Sequence, residues 1–204
     1  MRTFHYFMTV LAFCMSGLVN AQLRINAFGG YTFQDRFPIY GSYAGYSFSE
    51  GRVAAGAHYG GGLEYELRPN TAVELFYQAQ PSEGFLRTSF VEYGPYDITV
   101  HYVMLGGLHY LPFSKVVYGY GGLNMGCGFS TGEGNSTKFA WGGKLGLRID
   151  ASDKVGVKLG AQLLSPVDQV GGGLYFGTGG VSAGVSTYST VYQFGLTGGL
   201  VFTL

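Results

Sequence analysis

The last thirteen residues of the chain read YQFGLTGGLVFTL (192–204), and they alternate between two faces. One face carries mainly large apolar residues: Tyr192, Phe194, Leu196, Gly198, Leu200, Phe202 and Leu204. The other face carries mainly small or polar residues: Gln193, Gly195, Thr197, Gly199, Val201 and Thr203. A strand of period two with an apolar outer face is typical of the wall of a transmembrane β-barrel. A closed barrel pairs its last strand with its first, which removes the aggregation-prone edge that such a strand would otherwise leave.

The composition agrees with a barrel rather than with a soluble globular domain. The chain has 36 Gly, 17 Tyr and 16 Phe, and only 12% of its residues are charged. Aromatic residues suit the two membrane interfaces, and glycine permits the curvature of a narrow wall. The 12 basic and 12 acidic residues balance, so no basic field is available for nucleic acid.

The N-terminus predicts a secretory signal peptide. Arg2 supplies a positive start, residues 10–19 form a mostly apolar run, and Ala21 is a small residue suited to cleavage before Gln22. We therefore expect a signal peptide over residues 1–21 and a barrel over 22–204. Cleavage leaves Cys127 as the only cysteine, so an intrachain disulfide is not expected.

Eight segments have the length and alternation of tilted membrane strands. They are residues 22–34, 52–67, 72–80, 96–111, 116–129, 138–149, 155–164 and 192–204. In the fourth segment we expect these residues to face outward: Ile98, Val100, Tyr102, Met104, Leu108 and Tyr110. In the fifth, an outward Leu123 places Tyr118 and Tyr120 inward, unless a bulge changes the alternation.

The connections alternate between short and long. Residues 68–71, 112–115 and 150–154 are tight turns, whereas 35–51, 81–95, 130–137 and 165–189 are longer and rich in Gly, Ser, Tyr and Thr. Short periplasmic turns and long outer loops are the outer-membrane pattern, and eight strands place both termini in the periplasm. The alternative is a soluble lipocalin-like barrel, which needs a charged exterior. The charged face is too sparse for that, since it holds only Arg24, Glu64, Glu66, Glu74, Lys144, Arg148 and Lys158.

The chain resembles the small eight-stranded outer-membrane barrels, a group that includes the OmpA-like barrel domain and the OmpX-like barrels. The resemblance rests on the strand pattern, the loop alternation and the segment GLVFTL (199–204). That segment is similar to the C-terminal signal read by the barrel-insertion machinery, although it ends in Leu204 instead of an aromatic residue. The resemblance implies the outer membrane of a Gram-negative-type bacterium, with outer-membrane lipid and the insertion machinery as partners.

Charged residues of opposite sign are predicted to face each other inside the barrel. Glu64, Glu66 and Glu74 come from the second and third strands, and the opposing cations are Lys144, Arg148 and Lys158. An eight-stranded barrel is filled by its own side chains, and isolated buried charges are costly, so these groups are expected to pair as a polar plug. The alternative is a gate in which pairs exchange partners. Inward glycines such as Gly60 and Gly160 would leave room for it.

No catalytic or cofactor motif is evident. His58, His101 and His109 are not followed two residues later by the serine of lipid A deacylases, and they lack metal-ligand spacing. Asp97 and His101 share a face, but such a pair is more often a structural hydrogen bond than a catalytic one. The Gly171–Gly173 run lacks a P-loop lysine. We expect a non-enzymatic protein without a cofactor.

Two loops are candidates for interaction. The first is rich in aromatic residues, among them Tyr40, Tyr43 and Tyr46, which form an adaptable binding surface or else pack into the membrane girdle. The last loop predicts a hairpin with almost no charge, whose candidate residues are Leu174, Tyr175, Phe176, Val181 and Val185. Its strand edges suit the first loop, another envelope protein or a surface ligand.

These features predict a structural or surface-interaction barrel with a charge-plugged lumen. The alternative function is a narrow porin-like channel, or a conduit for apolar ligands across the outer membrane.

Overall fold

The computed structural model describes residues 23–43, 46–88, 91–132, 136–168, 173–177, 180–184, 189–190 and 192–204. The expected signal peptide and Val185 lie outside these residues. The described residues form thirteen strands: β1 (Leu23–Thr32), β2 (Asp35–Tyr43), β3 (Tyr46–Val53), β4 (Gly56–Arg68), β5 (Thr71–Thr88), β6 (Glu92–Pro112), β7 (Val117–Gly132), β8 (Ser136–Asp150), β9 (Val155–Asp168), β10 (Gly173–Gly177), β11 (Gly180–Gly184), β12 (Ser189–Thr190) and β13 (Gln193–Thr203). Within the described parts of the chain, no helix has the length and apolar character needed to span a membrane.

Eight of these strands close into an antiparallel barrel. Its ring order is β1, β4, β5, β6, β7, β8, β9 and β13, and β13 returns to pair with β1. The closing pair runs in continuous register from Arg24 opposite Thr203 to Thr32 opposite Gly195. The predicted eight-stranded barrel and the role of residues 192–204 as its closing strand are therefore confirmed.

The two ends of the barrel differ in their connections. The turns between β4 and β5, β6 and β7, and β8 and β9 span 69–70, 113–116 and 151–154. Leu23 lies at the same end, where its carbonyl accepts a 2.9 Å hydrogen bond from the Leu204 amide. We call this the short-turn end and its opposite the long-loop end.

The outward face is apolar, as the period-two pattern predicts. The terminal strand exposes Tyr192, Phe194, Leu196, Leu200, Phe202 and Leu204. Aromatic residues gather toward the long-loop end: Phe33 stacks on Phe194 and Trp141 meets Tyr192 edge-on. His101 stacks between the rings of Tyr77 and Phe129 on neighbouring strands. These residues form a partial outer aromatic girdle, as in membrane barrels.

The predicted orientation of the fourth barrel strand, β6, is wrong. Tyr102, Met104, Leu108 and Tyr110 are buried inside the ring, whereas Val103, Leu105 and Leu111 are exposed. The register explains this: Met104 lies opposite Phe76, and cross-strand partners share a face. Both faces of β6 are apolar because its inner face fills a narrow lumen. Hydrophobicity alone therefore did not distinguish inside from outside.

The structure also gives the orientation of β7, which the sequence left open, and it divides the predicted second strand. β7 keeps unbroken register with β6, so Leu123 faces outward and Tyr120 inward without a bulge. The predicted second strand is instead divided at Ala54 and Ala55. There the pairing with β5 shifts by one residue, from Val53 opposite Gly84 to Tyr59 opposite Ala79.

The long loops contain more strand than expected. β5 continues to Thr88 and β6 begins at Glu92, so much of the predicted loop 81–95 is an extension of the wall. The first loop forms the hairpin β2–β3, and β3 pairs with the extended part of β5. In the last loop β10 and β11 pair as a separate hairpin.

Candidate functional site: the barrel lumen

The centre of the charged region is Glu64 on β4, which is fully buried. Lys158 on β9 donates from Nζ to Oε1 of Glu64, and the Asn26 side-chain amide donates to the same oxygen. The Tyr110 hydroxyl donates to Oε2 over 2.5 Å. Arg24 Nη1 lies 3.8 Å from Oε2. Glu64 thus holds partners from three other strands, which satisfies a carboxylate that would otherwise be costly to bury.

A second pair crosses the lumen beside the first. Lys144 Nζ on β8 lies 2.5 Å from Glu74 Oε2 on β5. The ammonium also lies 3.8 Å from the centre of the Phe76 ring, within range of a cation–π contact. Both lysines therefore reach carboxylates on strands three places away around the ring.

The remaining charges pair locally. Glu66 pairs with Arg24 on the neighbouring strand β1. Arg148 contacts none of the three glutamates through an ion pair; its guanidinium instead forms a bidentate pair with Asp150, at 2.7 and 2.6 Å. The six predicted charges thus share one region, with Arg24 and Asp150 completing it as four cations and four carboxylates.

Sequence reasoning missed three members of this region. The alternation with the outward Leu23 and Ile25 puts Arg24 on the charged face, but it does not indicate that Arg24 joins the ion pairs. The sequence pattern predicts a turn at Asp150 and an outward side chain at Tyr110. For Tyr110 the missing information was the register of β6 against β5, in which Thr71 lies opposite His109.

An apolar cluster lies inside the ring beyond the charges, toward the long-loop end. Phe76, Tyr102, Met104, Ala140 and Leu164 pack together, with Phe28 and Val100 against them. Polar bonds cross between opposite walls at this level: Gln162 Nε2 donates to Gln78 Oε1 over 2.6 Å, and Tyr102 donates to Gln193 Oε1 over 2.7 Å. The lumen therefore changes from charged to apolar and neutral along its axis.

Aromatic rings occupy the space beside two of the inward glycines. A Cβ on Gly160 would lie 2.3 Å from the Tyr120 hydroxyl, and a Cβ on Gly60 would lie 2.7 Å from Cζ of Phe28. Gly60 thus leaves room for the ring of Phe28 on the neighbouring strand β1, and Gly160 leaves room for the Tyr120 side chain, which reaches it from β7, two strands away. The space that these two glycines would leave for a gate is therefore occupied by the rings of Phe28 and Tyr120.

The lumen cavities found in the described residues are small. One, of about 40 Å³, is lined by Phe28, Glu74, Tyr120, Lys144, Lys158 and Gln162, together with Thr197 and Gly199. Another, of about 150 Å³, lies at the short-turn end between Arg24, Glu66, Tyr110, Tyr118 and Arg148, beside Asn70. The first has room for about three water molecules.

The histidines do not converge on a metal or catalytic site. His58 bonds to Thr32 Oγ1 over 2.9 Å inside the barrel. His101 faces outward, where its ring nitrogens bond to the Tyr77 hydroxyl and the Thr131 hydroxyl over 2.8 and 3.0 Å. Among the described residues no three His, Cys, Asp or Glu side chains are grouped to hold a metal ion.

The candidate interaction residues are placed through their backbone. Tyr43 and Tyr46 lie opposite each other near the tip of the β2–β3 hairpin, and Tyr40 lies at an irregularity of the same pairing. Leu174 lies opposite Ala183 and Phe176 opposite Val181 in the β10–β11 hairpin, which also contains Tyr175. β12, from the same loop, lies beside β2. The described part of the last loop therefore returns next to the first.

Comparison with solved structures identifies the type of fold. No protein-family model matches the chain, and no curated protein matches it in sequence. The outer membrane protein OprG from Pseudomonas aeruginosa aligns over 90% of this chain and 95% of its own, with a TM-score of 0.64 and 12% identity. The chain has the fold of the small outer-membrane β-barrels. Neisserial surface protein A aligns over 88% of this barrel and 96% of its own chain, with a TM-score of 0.57 and 13% identity. AlkL, solved in lipid bilayers, aligns over 89% and 90%, with a TM-score of 0.53 and 14% identity.

Proposed function

We propose that this protein is a non-enzymatic integral outer-membrane barrel with a structural or surface-interaction role. In this proposal residues 1–21 are a cleaved signal peptide, and residues 22–204 span the outer membrane with both termini in the periplasm. The fold supports this placement, as do the short turns that share one end with Leu23 and Leu204.

The height of the outward apolar band supports a membrane location. From Leu111 to His101 on β6 the wall rises about 33 Å along the strand. At a strand tilt of about 40° this corresponds to about 25 Å along the barrel axis, the usual height of the apolar band. Val103, Leu105 and Leu111 are exposed over this interval.

The observation that carries the functional proposal is the cross-lumen pairing of Lys158 with Glu64 and of Lys144 with Glu74. Together with the packed rings of Phe76 and Tyr102, these pairs favour a lumen closed to solutes. A closed barrel leaves the outer loops as the surfaces through which the protein acts. Candidate partners are another envelope protein or a surface ligand.

Planar-bilayer recording tests the closed lumen. The purified protein, shown to be folded by heat-modifiable gel migration, should give no steady conductance that admits sugar-sized solutes. Steady conductance of that kind would contradict the proposal. Trypsin treatment of intact cells tests the orientation, because it should cleave only at the long-loop end.

A narrow channel is the second candidate, and one contact favours it. Arg24 bonds to Glu66 through Nη2 while its Nη1 lies 3.8 Å from Glu64, so Arg24 is placed to take over Glu64 if Lys158 moves away. Further along the lumen, the side-chain amide nitrogens of Gln78 and Gln80 have no hydrogen-bond partner among the described residues, which suits a hydrated path. The Glu64→Ala or Lys144→Ala variant should then raise conductance sharply while the barrel stays folded.

A further inference from the structure

The charged region of the lumen has water-sized space on both sides. Arg24 lines the cavity of about 150 Å³ at the short-turn end, and Lys158 lines the cavity of about 40 Å³ toward the long-loop end. Both cations contact Glu64, which therefore lies between the two cavities. On the measure that gives about three water molecules in the smaller cavity, the larger has room for about ten. The ion pairs of Glu64 are thus a thin partition between two spaces that can hold water.

Polar groups in this region also require water. Nε and Nη1 of Arg24 and Oδ1 of Asn26 are buried without a hydrogen-bond partner among the described residues. Buried polar groups that lack a protein partner are usually satisfied by ordered water. The larger cavity reaches Asn70 in an exposed turn, and the Glu66 side chain that also lines it is 23% exposed. Water therefore has access to the charged region from the short-turn end.

The apolar cluster forms a packed layer across the lumen. Its five members come from strands β5, β6, β8 and β9, and each is at most 1% exposed: Phe76, Tyr102, Met104, Ala140 and Leu164. Phe76 on β5 and Leu164 on β9 come from opposite walls of the ring. None of the five lines either of the two lumen cavities. The cluster therefore fills the cross-section of the lumen with apolar side chains.

Polar side chains resume beyond the apolar cluster. Gln80 follows Phe76 by four residues along β5, so it lies on the same inner face and nearer the long-loop end. His58 is its neighbour on β4, since Tyr59 lies opposite Ala79. The Gln80 amide nitrogen and Nε2 of His58 are buried without a hydrogen-bond partner among the described residues, so we expect water here too. The apolar cluster thus separates two polar regions of the lumen.

An ion meets different conditions in these regions. Beside the ion pairs it keeps water and meets charges of opposite sign, whereas the apolar cluster removes its water and supplies no charge in return. Hydrophobic constrictions close channels by excluding water in this way. We propose that the apolar cluster is the permeability barrier of the barrel, and that the charged region is a water-filled vestibule open to the short-turn end. This inference rests on the closed lumen of the proposed function, and it assigns the closure to the apolar cluster.

Planar-bilayer recording of two matched double variants tests the barrier. M104S/L164S replaces two members of the apolar cluster by smaller polar side chains, and E74S/K144S removes one cross-lumen ion pair without changing the net charge. Folding of each variant is confirmed by heat-modifiable gel migration. We expect M104S/L164S to raise the potassium chloride conductance at least about tenfold above the background of the natural chain. We expect E74S/K144S to stay within about twofold of that background.

The outcomes separate this inference from the proposed function. A natural chain that itself conducts sugar-sized solutes would contradict the closed lumen. If the natural chain is closed but E74S/K144S raises conductance as much as M104S/L164S, the ion pairs are the barrier and the inference is overturned. A folded M104S/L164S without increased conductance would also overturn it. If that variant does not fold, Met104→Ala is compared with Lys144→Ala in the same way.

Reaction of single cysteines with a small water-soluble thiosulfonate measures the hydration of each region. In the mature chain carrying Cys127→Ala and folded in neutral detergent, Thr197→Cys places a thiol beside the smaller cavity. Leu164→Cys places one in the apolar cluster. We expect the thiol at position 197 to react at least about tenfold faster than the thiol at position 164. Equal rates would show that the two regions are equally hydrated and would overturn the proposal.

Discussion

The hydroxyl of Tyr102 on β6 donates a 2.7 Å hydrogen bond to Oε1 of Gln193 on β13, on the opposite wall of the barrel. Both side chains are buried, and Tyr102 also packs in the apolar cluster with Phe76 and Met104. Tyr102 therefore fills part of the lumen and also links its two opposite walls by a hydrogen bond.

The Tyr102→Phe variant should lose the hydrogen bond to Gln193 without creating a large cavity. We expect a loss of about 1–2 kcal/mol in unfolding free energy, because Gln193 Oε1 is left without its donor. Urea unfolding in lipid vesicles measures the loss. Tyr59→Phe, which changes a tyrosine on the outer face, should change stability by less than about 0.5 kcal/mol. Equal effects of the two substitutions would contradict a specific role for the cross-lumen bond.

The pairing of Lys158 with Glu64 predicts a strong dependence between the two positions. Lys158→Met should cost about 3 kcal/mol of unfolding free energy, because it leaves a buried carboxylate without its main cation. Glu64→Gln in the same chain should restore much of that loss. Lys154→Met, in the exposed turn before β9, is the control and should be nearly neutral. A double-mutant cycle with additive effects would show that the two side chains do not interact.

The contact of Tyr120 with the wall predicts the effect of a single added methyl group. In Gly160→Ala the new Cβ would lie 2.3 Å from the Tyr120 hydroxyl and 2.6 Å from the Leu145 carbonyl oxygen. We expect overpacking to cost about 1–3 kcal/mol. Gly107→Ala is the matched control, since its Cβ would meet no atom within 4 Å. If urea unfolding shows the same stability for both variants, the predicted overpacking of Tyr120 against residue 160 is contradicted.

The outward orientation of Leu105 can be tested by its depth in the membrane. Leu105→Lys places a charge near the middle of the apolar band and should cost about 2–4 kcal/mol. Phe113→Lys places the same charge at the short-turn end, where the cost should be about 0–1 kcal/mol. Refolding into lipid vesicles at graded urea concentrations gives both values. Similar costs at the two positions would be inconsistent with a lipid-facing Leu105.

The barrel was largely predictable from the sequence because most of its strands place a row of large apolar residues on one face. In β13, for example, Phe194, Leu196 and Leu200 all face outward at the expected period. β6 is the strand whose predicted orientation is wrong, since its inner residues Tyr102 and Met104 are as apolar as its outer Val103 and Leu105. Only pairing with β5 distinguishes the two faces, and cross-strand register is not encoded within one segment.

The lumen charges were predictable in position but not in partner. The alternation places Glu64, Lys144 and Arg148 inward, but it does not give the height at which each residue faces another. Arg148 illustrates this, because Asp150 lies two residues away on the same face and forms its bidentate pair. The outward orientation of Arg52 likewise depends on a one-residue shift in the pairing with β5 near Ala54, which the alternation alone does not reveal.

Trp141 is the only tryptophan in the chain, and it faces outward on β8 beside Tyr192. The indole therefore moves from water into the membrane interface as the barrel inserts. Its emission should shift to shorter wavelength during insertion, with no contribution from a second indole to separate. Quenching by lipids brominated at different acyl positions would then measure how deep this side of the wall sits. The chain thus carries its own optical reporter of assembly and depth.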